Sequence, residues 1–235
     1  VGISAQPPWL AGATGVGMAL VGGYVDVVGF VLLFGLFVNH ATGNLVMLGV
    51  SLAGGGQGLA TKLLSLPVFI AAAAATYVMI CRRRARGQAN EAAVLLAQAV
   101  MLAVFMLLTV AALPAENADA PKVMLAGLVG VCAMAVQNVG ARVVFSHLAP
   151  TTIMTGNVTQ IAIDLVDLLS SKTGLDEALR ARIVKTWPPV MAFAVGAIGG
   201  AVGVILAGPW SLLPAAVVVA ILGGLYAHKP RAVQA

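Results

Sequence analysis

Two copies of one polar tripeptide, and one carboxylate set among apolar residues, are the groups of this chain whose types and spacing could do chemistry. Thr42-Gly43-Asn44 and Thr155-Gly156-Asn157 stand 113 residues apart in a chain of 235. Glycine lets a chain leave helical geometry, and Thr and Asn cap the orphan N–H groups of a helix start. A helix beginning there presents free N–H groups and the positive end of its dipole, which suits an anionic or carbonyl-bearing ligand. The same tripeptides also read as capped turns at a membrane surface, each followed by an interfacial helix.

Asp26 lies inside Gly22-Gly23-Tyr24-Val25-Asp26-Val27-Val28-Gly29-Phe30. An Asp at the centre of a membrane helix costs about 2.5–3.5 kcal/mol, so it faces protein or water and has a partner. Burial raises a carboxyl pKa, which makes Asp26 a candidate proton carrier. The alternative is a structural carboxylate that caps backbone freed at Gly22-Gly23 or pairs with Arg142. Asn138 stands 17 residues before Thr155 much as Asp26 stands 16 before Thr42, with Gln137 beside it. An amide therefore occupies the second copy where the first has a carboxylate, and such a site would bind one coupling ion asymmetrically.

The elements that must position these groups follow from composition. The chain is 60% apolar and 9% charged, with a mean hydropathy of +1.01, outside the range of soluble domains. A membrane helix needs about 20 mostly apolar residues. The sequence predicts six spans: Met18 to Phe37, Leu63 to Cys81, Ala92 to Leu113, Val123 to Phe145, Pro188 to Ala207 and Leu212 to Ala227. Threading them puts eleven of the thirteen Lys and Arg residues on one side and only Lys62 and Lys122 on the other, so both termini are expected in the cytoplasm. That bias accounts for the basic pI without nucleic acid, and Arg82-Arg83-Arg84-Ala85-Arg86 reads as a stop signal with a minor role toward anionic lipid. No secretory signal peptide is expected, because the first apolar run is too long and lacks a basic flank.

Each tripeptide is followed by a short helix (Leu45 to Ala53; Val158 to Leu169), a polar connector, a span opened by proline (Pro67; Pro188-Pro189) and another span. The single membrane domain, 1–235, thus reads as two three-span repeats, 12–113 and 122–228. An odd number of spans per repeat sends the second copy in from the opposite face, the inverted-repeat plan of many secondary transporters. The fold class expected is all-α, with six transmembrane helices in two inverted repeats, each broken at Thr-Gly-Asn before a short half-helix.

The remaining polar residues suggest less. His40 and His147 do not align between the repeats, and neither has a second ligand at metal spacing, so no metal is expected. Cys81 and Cys132 are isolated, and Gln98 reads as an interhelical hydrogen-bonding group. Asp164 and Asp167 lie one turn apart on one face of a helix at the cytoplasmic interface. Thr173 to Asp176 reads as a capping-box-like start of a short surface helix lined by Leu175, Leu179 and Ile183. Gly196 with Gly200 and Gly199 with Gly203 permit close helix approach, within one bundle or in a homodimer.

In this order, Gly23-Tyr24-Val25-Asp26, Phe37 to Asn44, Gln137-Asn138 with Arg142, and Thr151-Thr152-Ile153-Met154-Thr155-Gly156-Asn157 resemble the YoaK-like family of uncharacterised bacterial inner-membrane proteins, over essentially the whole chain. One departure is Ala41, where the family prefers Met before the first tripeptide. The resemblance implies a six-helix protein of the bacterial inner membrane and supplies no substrate.

The residues point to a secondary transporter of a small polar or anionic solute, coupled to a proton or cation. Thr42, Gly43, Asn44, Thr155, Gly156, Asn157, Gln137 and Asn138 would contact solute, and Asp26 would bind the coupling ion. A channel, or a membrane-embedded small-molecule-binding or scaffold protein without transport, is the alternative. No cofactor is implied. Nor is an enzyme, because no nucleophile with its base, metal constellation or catalytic carboxylate pair is present.

Overall fold

A computed structural model of the protein describes residues 7–149, 151, 154–170 and 176–228. Thr152 and Ile153 of the second motif, Lys172, Lys229 and Arg231 of the basic side, and Thr173 to Leu175 lie outside the described residues. Among the described residues every regular element is helical: α1 (Pro8–Leu32), α2 (Gly43–Leu52), α3 (Leu59–Ala85), α4 (Glu91–Ala112), α5 (Pro121–Val143), α6 (Met154–Ser170), α7 (Glu177–Ala207) and α8 (Leu212–Ala227), with a 3-10 turn at Gly208–Ser211. Five stretches are long and apolar enough to cross a membrane: Trp9–Leu32, Leu59–Ala85, Glu91–Ala112, Pro121–Val143 and Glu177–Ala227.

The first predicted span is displaced. α1 begins ten residues earlier than expected, at a proline suited to the first helical turn, and stops five earlier. It stops because Phe34 and Gly35 both take positive φ, 55° and 80°, which no right-handed helix accommodates. The predicted surface helix at 173–183 is not separate. Asp176 caps α7 by accepting the Leu179 N–H at 2.6 Å, and the helix then runs unbroken through Pro188 and Pro189. Those prolines remove two helical N–H donors without turning the chain.

Close contacts fix the helix directions. Leu20 and Tyr24 of α1 meet Gly196 and Gly200 of α7 in the same order, so the two run parallel. α8 runs back along α1, with Gly17 on Leu222 and the Thr14 hydroxyl 3.0 Å from Tyr226 Oη. The chain therefore reverses at Gly208 (φ 52°), and the last apolar stretch is two antiparallel helices. α3 and α5 are parallel, joined by Thr61 to Asp119 just before α5 at one end and by Arg84 Nη2 to the Val143 carbonyl (2.8 Å) at the other. α4 and α5 are antiparallel, with Val94 on Gly140 and Phe105 on Gly130.

These contacts form a set that is unchanged when α1, α2, α3 and α4 exchange with α5, α6, α7 and α8. α1 packs on α7 as α5 packs on α3, α2 on α3 as α6 on α7, and α4 on α5 as α8 on α1. α4 on α8 and α1 on α5 map onto themselves. The glycines predicted to allow close approach serve this arrangement. A Cβ at Gly196 or Gly200 would lie 2.0 Å from the Leu20 carbonyl oxygen or 2.5 Å from that of Tyr24, so this face is filled within the chain.

Outward positions of α3, such as Leu63, Ile70, Tyr77 and Val78, are exposed and apolar, as lipid contact requires. Arg82, Arg83, Arg84, Arg86 and Arg142 cluster at the end where α3 and α5 finish. Arg180, Arg182 and Lys185, in the first turns of α7, lie at that end too, and Lys62 and Lys122 lie at the other.

Candidate functional site

The segment joining α1 to α2 turns back into the bundle. After the reversal at Phe34 and Gly35, Leu36 and Val38 bury themselves against Gly127 and Gly130 of α5. Asn39 then reaches Gly22, where a Cβ would sit 3.3 Å from Asn39 Nδ2. Gly22 lies ten residues before the end of α1, about 15 Å down the helix at 1.5 Å per residue. From there α2 climbs again, and its Ser51 meets Lys62 in the first turn of α3.

The segment joining α5 to α6 makes the mirror journey from the other end. Leu148 touches Gly15, the Thr151 carbonyl reaches the same Gly22 position at 3.7 Å, and Met154 packs on Ala19 and Ala192. α6 then returns to the end where Arg182 of α7 holds Asp164 and Asp167, at 3.0 and 2.7 Å. The two irregular segments converge beside Gly22, the glycine whose missing side chain leaves them room.

Polar groups gather at that junction. Asp26 Oδ1 accepts the Asn39 backbone N–H at 2.9 Å, and Asp26 Oδ2 is paired with His40 Nδ1. Asn138 Nδ2 donates to the Met134 carbonyl at 2.9 Å and reaches Asn39 Oδ1 at 3.5 Å. Gln137 Nε2 donates to the Met18 carbonyl at 2.9 Å, while its Oε1 accepts from Gln98 Nε2 at 2.6 Å. Among the described residues, Asn39 Nδ2, Thr151 Oγ1 and Gln98 Oε1 are buried without a hydrogen-bond partner. Leaving a buried donor or acceptor unmade costs about 1–3 kcal/mol, so each of these atoms is a position where a polar partner would be stabilising.

The predicted site residues divide into two groups. Asp26, Gln137 and Asn138 stand at the junction. Asp26 takes neither expected structural partner; its oxygens hold the returning segment. The tripeptides lie just beyond. Asn44 is fully buried and closes the first turn on itself, accepting the Phe37 N–H at 2.9 Å and donating to the Phe37 carbonyl at 2.7 Å. Gly43 allows the Phe37 ring close, with a Cβ there 2.9 Å from it, and Thr42 is exposed. Thr155 and Gly156 are exposed in the first turn of α6, and Asn157 is buried with Nδ2 3.9 Å from Met154 Sδ. No interface joins α2 to α6 among the described residues.

Sequence reasoning missed Asn39, His40 and Thr151, each three or four residues ahead of its tripeptide or one removed from such a position. The available signal was that both halves keep polar residues there, Asn39-His40 and Thr151-Thr152. It also treated Lys62 as a loop cation. Lys62 is 2% exposed, with Nζ donating to the carbonyls of Phe34 (3.2 Å) and Gln57 and to Ser51 Oγ (3.3 Å), so it ties the strained turn at Phe34 to the end of α2. Outside the helices, Asp119 caps α3 from a distance: its Oδ1 accepts from Thr61 N (3.0 Å) and Oγ1 (2.9 Å), and its Oδ2 from Ala60 N (3.4 Å). Burial pushes its carboxyl pKa up, but those hydrogen bonds and the Lys62 charge outweigh it and hold the group below its ordinary value.

No His, Cys, Asp or Glu cluster suited to a metal occurs among the described residues. No curated protein and no solved structure matches the chain. A family model described as a protein of unknown function, DUF1275, matches residues 14–225 and takes in both returning segments and every residue of the junction. In agreement with the YoaK-like resemblance of its motifs, the chain belongs to the DUF1275 family.

Proposed function

We propose that the chain is a secondary transporter that binds a small polar solute where its two returning segments meet. In this reading α1, α3, α4, α5, α7 and α8 make six crossings, and the halves are inverted repeats. The basic end faces the cytoplasm of a bacterial inner membrane. The exchange of halves that leaves the packing set unchanged supports the repeats, and the reversal at Gly208 supports the sixth crossing.

One observation carries the functional reading: segments entering from opposite ends converge beside Gly22, with Asn39 Nδ2 and Thr151 Oγ1 buried and unpartnered. Non-helical backbone at membrane depth is tolerated where it is buried in protein or lines a wet cavity, and such broken elements form the midplane sites of transporters. Asn39, Thr151, Gln137 and Asn138 would contact the solute. Asn44 and Asn157, with their flanking Thr and Gly, would shape the two segments and orient the starts of α2 and α6 toward it. Asp26 would bind the coupling ion. The reading carries no catalytic step, and its partners are lipid and solute.

The test is solvent access from the two sides. In a background with Cys81→Ala and Cys132→Ala, single cysteines replace Asn39 or Thr151, and an impermeant thiol reagent is applied from each face in turn. Transport by alternating access predicts that each position reacts from both faces. Reaction of Asn39→Cys from the α3 N-terminal face alone, and of Thr151→Cys from the opposite face alone, would reduce the segments to separate surface loops and end the proposal.

A further inference from the structure

The junction holds one titratable pair, and its surroundings discriminate between coupling ions. Asp26 is 4% exposed, and both of its oxygens are engaged by nitrogen donors, the Asn39 backbone N–H and the His40 ring. A hard metal cation needs a shell of several oxygen ligands. A carboxylate already facing an amide and an imidazole does not offer that shell. Among the described residues, the rings that face His40 are those of Phe37 and Phe193, at 6.0 and 5.9 Å, one from the returning segment and one from α7. From α5 the neighbour is Asn138, through Asn39. None of these three titrates or carries charge.

We infer that the coupling ion is a proton carried by the Asp26–His40 pair, and that Asn39 transmits its presence to the solute position. This inference rests on the transport reading above. In the deprotonated pair the neutral imidazole donates Nδ1–H to Asp26 Oδ2, leaving Nε2 as the free base. The His40 side chain is 38% exposed, and its Nε2 is the atom of the pair left to take the proton. An incoming proton bonds to Nε2, and the pair passes from net charge −1 to zero. The carboxylate then shares its charge with an imidazolium and holds the Asn39 N–H less strongly. Asn39 has its backbone on Asp26 and its unpartnered Nδ2 beside Gly22 and Thr151, so one residue joins the two sites. Its Oδ1 also faces Asn138, the amide that stands in the second half where Asp26 stands in the first. The asymmetry between carboxylate and amide gives one proton per cycle.

The experiment follows the imidazole directly and uses no solute. The chain has three histidines. In the full protein in lipid nanodiscs, with His147→Gln and His228→Gln, isotope-labelled His40 is titrated by NMR from about pH 5 to about pH 9, once in choline chloride and once in sodium chloride. The expected result is one titration, at Nε2, with Nδ1 protonated throughout and the same midpoint in both salts. Asp26→Asn lowers that midpoint by about one pH unit or more, a tenfold loss of proton affinity, while Asp26→Glu retains it. A midpoint that falls as sodium rises would assign the site to a metal cation and overturn the inference. So would a midpoint that Asp26→Asn and Asp26→Glu both leave where it was. Neither result depends on thiol access at Asn39 or Thr151, so this inference and the transport reading fail separately.

Discussion

Replacing Gly196 by alanine probes the contact on which the junction is built. α1 and α7 lie so close that a Cβ at Gly196 would stand 2.0 Å from the Leu20 carbonyl oxygen, where ordinary contact begins near 3.4 Å. The obstacle is backbone, so no rotamer change relieves it, and the helices must part by about 1 Å along the parallel pair that carries Gly22 and Gly23. Alanine gains about 1 kcal/mol of helix propensity over glycine. Overpacking of this kind costs about 1–3 kcal/mol, and more where backbone is the obstacle, so the net expectation is a loss of about 1–2 kcal/mol. Gly224→Ala is the control, because nothing lies within 4 Å of a Cβ there and only the propensity gain remains. Thermal unfolding in detergent, read by tryptophan fluorescence beside size-exclusion chromatography, separates the two. The reasoning is refuted if Gly196→Ala melts with Gly224→Ala. A change in oligomer size without a change in melting would move the glycine face to an interface between protomers.

Two further substitutions test the supports of the first returning segment. Asn44→Ala removes both hydrogen bonds that close the turn at Phe37, for a loss of about 2 kcal/mol, and amide exchange should rise across 36–48 while α4 stays protected; exchange across 36–48 that matches the wild type, or that rises equally in α4, would deny Asn44 that local role. Asp119→Ala removes the remote cap of α3 and should cost about 1 kcal/mol at neutral pH. Because the folded pKa of Asp119 lies below its ordinary value of 3.8, this stabilisation is full above that value and is lost as pH falls through the lower folded one. The difference between wild type and Asp119→Ala should therefore be flat near neutrality and close only in acid, and a gap that closes near neutral pH would contradict the assignment.

Much of the junction was legible because the recurring tripeptide supplies a register that can be counted. Asp26 and Asn138 were paired by their distances to the two tripeptides, and the structure brings both to Asn39. Helix α8 and the end of α7 fall where the apolar runs end, since lipid-facing residues need only composition and length. The end of α1 was not legible: Leu32 to Phe37 is as apolar as the helix before it, and the helix stops because Phe34 is forced to positive φ by a turn whose carbonyl Lys62 holds from α3. The same cause displaced the polar focus. Thr-Gly-Asn is the conspicuous pattern, but Asn44 spends its hydrogen bonds on Phe37, and the unpartnered atoms belong to Asn39 and Thr151, which stand ahead of the tripeptides in short polar pairs that carry no repeated motif.

By itself, then, the order of residues determined the apolar lengths, the charge asymmetry, the recurrence of Thr-Gly-Asn and the family, because each is a property of composition or spacing along one strand of chain. Tertiary structure alone decided that both irregular segments return into the bundle, the first by about 15 Å, and meet at a glycine of α1. It also decided that Asp26 faces His40 and that Lys62 is buried rather than solvated. Those outcomes depend on which backbone groups are left without partners once the long helices pack, and a carboxylate or ammonium in that interior goes wherever an unpaired donor or acceptor remains.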